Sequence, residues 1–154
     1  MTRAFFPRDE FFMRLALREA ERALEHHDVP VGCVVVAGGE VVAAARNERE
    51  LRGDPTAHAE ILALREASGR LGSWRLDDTV LYVTLEPCSM CAGAIVLARV
   101  PRVVFATHDP KTGAAGSVLN VLDQPELNHR PDVASGLLAA EAGDMLRAFF
   151  AARR

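Results

Sequence analysis

Two short stretches carry groups that can do chemistry together: His58-Ala59-Glu60 and Pro87-Cys88-Ser89-Met90-Cys91. They supply one imidazole, two thiols and a carboxylate. An imidazole with two thiols suits zinc, and three protein donors leave one tetrahedral position open, the mark of a catalytic rather than a structural site. Water held at such a position loses a proton near neutral pH and becomes a nucleophile. Glu60 is not needed as a ligand and is free to move protons beside it. Cys-x-x-Cys alone also serves redox and structural-zinc sites. A structural site calls for a fourth ligand, however, and Cys33 is the one other thiol in the chain. It lies in an apolar run and reads as a small core residue. His58, Cys88 and Cys91 are therefore the expected ligands of one zinc per chain, and Glu60 the expected acid-base group.

These groups need elements that aim them at one point. Asp54-Pro55-Thr56 offers an N-cap and a proline for the first helical position, predicting a helix that runs to about Ser68 and stops at Gly69. His58 and Glu60 then fall in its first turn. Residues two apart do not share a helix face, so both reach one metal only if the helix N-terminus points at it. Val80 to Leu85 reads as a strand, and Pro87 as the opening of a second helix with Cys88 and Cys91 at i and i+3 on one face. Two helix N-termini then converge, and their dipoles favour the thiolates. Ala92-Gly93-Ala94 carries almost no bulk, which permits close packing within the chain or across a dimer.

The rest of the chain supplies a frame. Asp9 caps a first helix running to about His26, with Phe12, Ala16, Ala20, Ala23 and Leu24 as its apolar stripe. His26 and His27 read as surface or capping residues. Val31 to Ala37 is apolar on both faces, as a central strand should be. Gly38-Gly39 turns it into a return strand over Val41 to Ala45. Arg46 to Gly53 reads as a polar loop. A strand over Val103 to Ala106 leads into the loop His108 to Gly116, which holds the single lysine, Lys111. His108 reads equally as a surface residue or an RNA contact. A short strand near Val133 and a helix from Gly136 to Arg153 complete the chain. Phe149 and Phe150 on that helix lean towards the core by residue type. The element order predicts an α/β fold, a mixed central sheet with helices on both faces, as one domain over 1–154.

Composition narrows the partners. With 49% hydrophobic and 25% charged residues, the chain matches ordinary globular proteins. No apolar run approaches the ~20 residues of a membrane span, and Met1 to Pro7 is too short for a signal peptide. Two of the three cysteines are committed to metal, so no disulfide framework is expected and a cytoplasmic location is. A net charge of −3 argues against coating nucleic acid by bulk charge. All but one of the 18 basic residues are arginine, the better donor to phosphate and base edges, which leaves room for a local RNA-binding patch. Arg130, Arg147, Arg153 and Arg154, with Lys111, are its candidates.

His-x-Glu followed by Pro-Cys-x-x-Cys is the known signature of zinc nucleobase deaminases, and the likeness extends further. Asp54-Pro55-Thr56-Ala57-His58-Ala59-Glu60, Leu81 through Cys88, and Met90-Cys91-Ala92-Gly93-Ala94 all take part. Lys111-Thr112-Gly113-Ala114-Ala115-Gly116-Ser117 and Asn128-His129-Arg130 add two stretches outside the metal site. The chain resembles the bacterial tRNA-specific adenosine deaminases of the cytidine-deaminase superfamily. The resemblance implies the three-layer cytidine-deaminase-like fold and a homodimer. It also implies conversion of adenosine to inosine at the first anticodon position, the wobble position, typically of an arginine tRNA. It assigns zinc to His58, Cys88 and Cys91, and proton transfer to Glu60. By the same resemblance Asn47, Asp109, Lys111, Asn128 and the Phe149, Phe150, Arg153 end correspond to RNA-contacting positions. Asn47 and Asp109 also read as loop caps. His108 departs from the arginine that relatives often carry there, and the tail ends at Arg154 where some relatives continue with a basic extension.

Adenine within a stack cannot offer C6 to a buried metal, so the target must be single-stranded or flipped, as in the loop of an anticodon stem-loop. Two other functions compete. A deaminase of a free base or nucleoside, guanine or cytosine, shares the metal site but not the loop and tail motifs. A zinc-stabilised RNA-binding module without catalysis has no use for Glu60.

Overall fold

Valine-rich stretches, which pack well on a pleated surface, form a five-stranded sheet in the order β2-β1-β3-β4-β5. The computed structural model describes residues 4–153. Its strands are β1 (Gly32–Ala37), β2 (Glu40–Arg46), β3 (Thr79–Leu85), β4 (Arg102–Thr107) and β5 (Asp132–Ser135). β1 runs antiparallel to both β2 and β3, whereas β3, β4 and β5 are parallel, so the sheet is mixed. The helices are α1 (Asp9–Ala23), α2 (Arg49–Arg52), α3 (Ala59–Leu71), α4 (Ser89–Leu97) and α5 (Ala139–Ala151).

Alternation along β1 explains the three layers. Val34 and Val36 join Phe12, Met13 and Ala16 of α1 and Ala142 of α5 on one face. Cys33 and Val35 point the other way, into a cluster with Ala63 of α3 and Ile95 of α4. Side chains of a strand alternate between faces, so a strand apolar on both faces must be covered on both. Contact with α1 is very close at Gly32, where an added Cβ would meet Ala16 O at 1.9 Å and Ala20 N at 2.5 Å. Cys33 is fully buried, as a core residue is. Among the described residues no helix is long and apolar enough to cross a membrane.

Several element ends differ from expectation, each for a local reason. Asp54 does not cap α3. Its Oδ1 accepts from Thr56 N and Thr56 Oγ1, both at 2.8 Å, closing a tight turn of its own, a competing use of aspartate. The helix therefore starts at Ala59 with His58 as its N-cap, and it runs through Gly69 to a left-handed Gly72 at φ 68°. Likewise α4 begins at Ser89, with Cys88 rather than a helical Pro87 before it.

Asp9 is the first residue of α1 and not its cap. Its carboxylate accepts from Phe6 N, from Tyr82 and from both Nη atoms of Arg102. The stretch expected as a polar loop contains α2, whose Glu50 and Leu51 N–H groups donate to buried Asp28 at 2.7 and 3.2 Å. α1 gives way after Ala23 to a 3-10 turn over Leu24–His26. α5 starts at Ala139 because Leu138 takes a left-handed φ of 58°. Phe150 is 47% exposed, so the aromatic pair at the end of α5 is not core.

Candidate active site

The ends of two helices meet beside the carboxyl end of β3. His58 stands at the N-cap of α3 with an extended backbone, and Cys88 at the N-cap of α4, also extended. Cys91 is the third residue of α4 and Glu60 the second of α3. His58 Nδ1 lies 3.6 Å from Cys88 Sγ and 3.5 Å from Cys91 Sγ. The ligand atoms of all three lie within 4.8 Å of one another, a grouping able to hold a metal ion. The His58 side chain makes no bond back to its own helix. The N-terminal first turns of the two helices add positive potential at the triangle.

Proton affinities follow from this crowding. The hydrogen bond from Cys91, helped by His58, brings the Cys88 thiol down to about 4. The same bond, with burial, drives the Cys91 thiol up. Contact with Cys88 raises His58, against the effect of its burial. Burial pushes the Glu60 carboxyl up to about 7, opposed by its own backbone N–H and by His58. Glu60 is 4% exposed, so its carboxyl sits in a nearly dry position beside the triangle.

Asn47 ties this corner together. Its Oδ1 accepts from Ala59 N at 2.9 Å and its Nδ2 donates to Val29 O at 3.1 Å. It thus caps α3 one residue after His58. Asp109 is also engaged within the chain: Oδ1 accepts from Lys111 N and Thr112 N, and Oδ2 from Thr112 Oγ1 at 2.7 Å. Lys111 itself is exposed. Glu86, inside the Leu81 to Cys88 stretch but with no role expected for it, binds the backbone of this loop. Burial opposes its charge, but the Ser117 hydroxyl and the N–H groups of Asp109, Ser117 and Ala115 outweigh that and hold the carboxyl low. The sequence signal was an acidic residue directly before Pro87-Cys88, at a strand end.

The remaining expected contacts lie elsewhere on the surface. Asn128 and Arg130 are exposed, and Arg130 sits 3.4 Å from Asp123. Their neighbour His129 meets Val100 O at 2.6 Å through Nε2. At the end of α5 the Arg153 guanidinium stacks 4.2 Å from the Phe149 ring and donates to His27 O at 2.6 Å. Phe149, Arg153, Leu24, His27 and Met145 line a groove of about 520 Å³, with Phe150 packed edge-on against Phe149. Arg147 pairs with Asp144. Arg154 lies outside the described residues. His108 is half exposed, with Nδ1 3.3 Å from Glu86 Oε1.

A sequence profile of the MafB19-like deaminases matches residues 8–154. The chain belongs to this family. This deaminase is 51% identical over 142 residues to the tRNA-specific adenosine deaminase of Bacillus subtilis strain 168, covering 92% of this chain and 88% of that protein. Its structure is similar to that of a tRNA:A34 deaminase that performs A-to-I editing at the wobble position, with 47% identity and a TM-score of 0.85. That match covers 88% of this chain and 99% of the other. A guanine deaminase from Bacillus subtilis is more distant, at 33% identity and a TM-score of 0.64 over 94% of this chain and 92% of that one.

Proposed function

We propose that this deaminase converts adenosine to inosine at the first anticodon position of a tRNA, an arginine tRNA in the first instance, using one zinc held by His58, Cys88 and Cys91. The observation that carries the chemistry is the three-donor triangle with buried Glu60 beside it. Zinc bonds of about 2.3 Å to sulfur and 2.05 Å to nitrogen at tetrahedral angles separate the two donors by about 3.6 Å. The separations of 3.6 and 3.5 Å fit that ion. The substrate rests on the names of the two relatives described above, one a tRNA-specific adenosine deaminase and one a tRNA:A34 deaminase.

When bound with a coordination position open, zinc activates a water near neutral pH. The chain's own groups handle the protons. Glu60 would take one proton from the attacking water and deliver it to N1 of adenine, which makes C6 electrophilic towards the water oxygen. The second proton passes through the same carboxylate to the exocyclic amine, the C6–N bond breaks, and ammonia leaves. Burial, which raises Glu60 to about 7, suits a group that must both accept and donate near neutral pH. The α3 and α4 N-termini stabilise negative charge at the triangle throughout.

The RNA is held by local groups, since the chain's net charge is −3. Asn47 and the loop carrying Asp109 and Lys111 border the site. Asn128, Arg130, Phe149, Phe150 and Arg153 form outer contacts to the stem-loop. A homodimer fits the α4 surface: Gly93 has open space where a Cβ would be, and Leu97, four residues on, is 69% exposed. Residues four apart share a helix face, so this is an apolar strip that a second copy of the chain can cover. A tRNA substrate puts the reaction in the cytoplasm, and the chain acts as a single deaminase domain.

Incubation with total tRNA followed by inosine mapping tests the proposal. Inosine at the first anticodon position of an arginine tRNA is expected. Ammonia release from guanine or cytidine, with no inosine in any tRNA, would replace it with the free-base function.

A further inference from the structure

Glu86 lies between the last residue of β3 and the proline before Cys88, and it is 2% exposed. Its Oε1 accepts from Asp109 N at 2.9 Å and from the Ser117 hydroxyl. Its Oε2 accepts from Ala115 N at 2.9 Å and Ser117 N at 3.1 Å. An ionised carboxylate is acceptor-only and offers about four lone-pair sites; here four donors fill them, all from one loop. Gly113 seals the arrangement, because a Cβ there would lie 2.4 Å from Glu86 Cδ. Two backbone bonds run alongside: Glu86 N donates to Thr107 O at 2.9 Å and Ala114 N to Pro87 O at 2.8 Å.

We propose that Glu86 is a positioning residue that presets the 109–117 loop against the metal-bearing end of β3, so that the loop meets the target nucleotide in register with the triangle. The claim rests on this loop gripping the substrate. The path is short and fully bonded. Cys88 follows Glu86 by two residues, Glu86 fixes the backbone of Asp109, and the Asp109 side chain fixes Lys111 and Thr112. A buried carboxylate is a poor way to gain stability alone, since apolar residues of like volume often do as well or better. What four converging acceptor bonds supply is a single loop geometry. A loop ordered in advance lowers the ordering cost of binding, and that saving appears in KM before it appears in kcat.

Glu86→Gln separates this role from a general structural one. Glutamine keeps the shape but turns one acceptor into a donor, which in either orientation faces at least one backbone N–H. Zinc content is expected to stay at the parent level. KM for an anticodon stem-loop is expected to rise about tenfold with kcat within about threefold, the pattern of lost uniform binding. Deuterium exchange at the Asp109, Ala115 and Ser117 amides is expected to quicken without RNA present. Ser117→Ala, a milder change that removes one of the four donors, is expected to raise KM about twofold and keeps the test open if Glu86→Gln fails to fold.

Faster exchange with an unchanged KM would overturn the proposal, as would a fall in kcat and zinc content at constant KM. A parent protein that makes no inosine on the stem-loop overturns the tRNA assignment instead. In that case amides as slow in Glu86→Gln as in the parent still overturn the role of Glu86, whichever substrate the site takes.

Discussion

His58 and Cys88 are each the N-cap of a separate helix, and their Nδ1 and Sγ atoms meet at 3.6 Å. A ligand at an N-cap is aimed along the helix axis instead of off its side. This is how one residue from α3 and two from α4 close a triangle that no single helix face could present.

Removal of any corner should release the metal. His58→Ala, Cys88→Ser and Cys91→Ala are each expected to purify with well under one zinc per chain and to form no inosine. Metal analysis checks this, and a variant retaining a full complement of zinc contradicts the ligand assignment.

Glu60→Gln should keep zinc and stem-loop binding, because Glu60 lies outside the His58, Cys88 and Cys91 group and its volume is nearly unchanged. The rate is expected to fall by at least about 10²-fold, the usual scale for a positioned acid-base group. Single-turnover inosine formation measures it, and a loss of only a few-fold would assign proton transfer to another group.

Asn47→Ala should act on the metal from one residue away. It leaves the Ala59 N–H, adjacent to His58, without its partner. Supporting residues around metal ligands are typically worth about tenfold to a hundredfold in affinity. Competition with a zinc chelator should show a loss of that size in the purified variant.

The far end of the sheet carries a stability prediction. Asp9 and Arg102 are paired at 2.8 Å, with side chains 2% and 11% exposed. Breaking a buried pair strands the surviving charge, so Asp9→Asn is expected to cost about 3 kcal/mol. Burial opposes the Asp9 charge, but Arg102, the Phe6 N–H and Tyr82 outweigh it and hold the carboxyl below its ordinary 3.8. A depressed folded value stabilises the fold fully above the unfolded value and loses that contribution as pH falls through the folded one. Urea unfolding of parent and variant should therefore differ by a constant amount above about pH 5, begin to converge as pH falls below 3.8 and meet only below the lowered folded value.

Local spacing makes the three donors legible in the chain. Cys88 and Cys91 are three residues apart and His58 opens a second helix, and the fold brings all three into one group. The strands were legible for the same reason, since Val31 to Ala37 shows its two-sided burial in consecutive residues. What the sequence could not reveal depends on partners distant along the chain. Asp54 reads as a helix cap because a tight turn and an N-cap use the same residue types, and only the surrounding backbone chooses. α2 is not legible because the acceptor of its Glu50 and Leu51 N–H groups, Asp28, lies 22 and 23 residues earlier. Asp9 was assigned to its own helix, although its strongest partner is Arg102, 93 residues on. Glu86 has no signal of its binding partners in its own neighbourhood, since its donors lie 23 to 31 residues later. Periodicity and capping act within about four residues, whereas these bonds exist only once the strand order β2-β1-β3-β4-β5 has brought distant segments side by side.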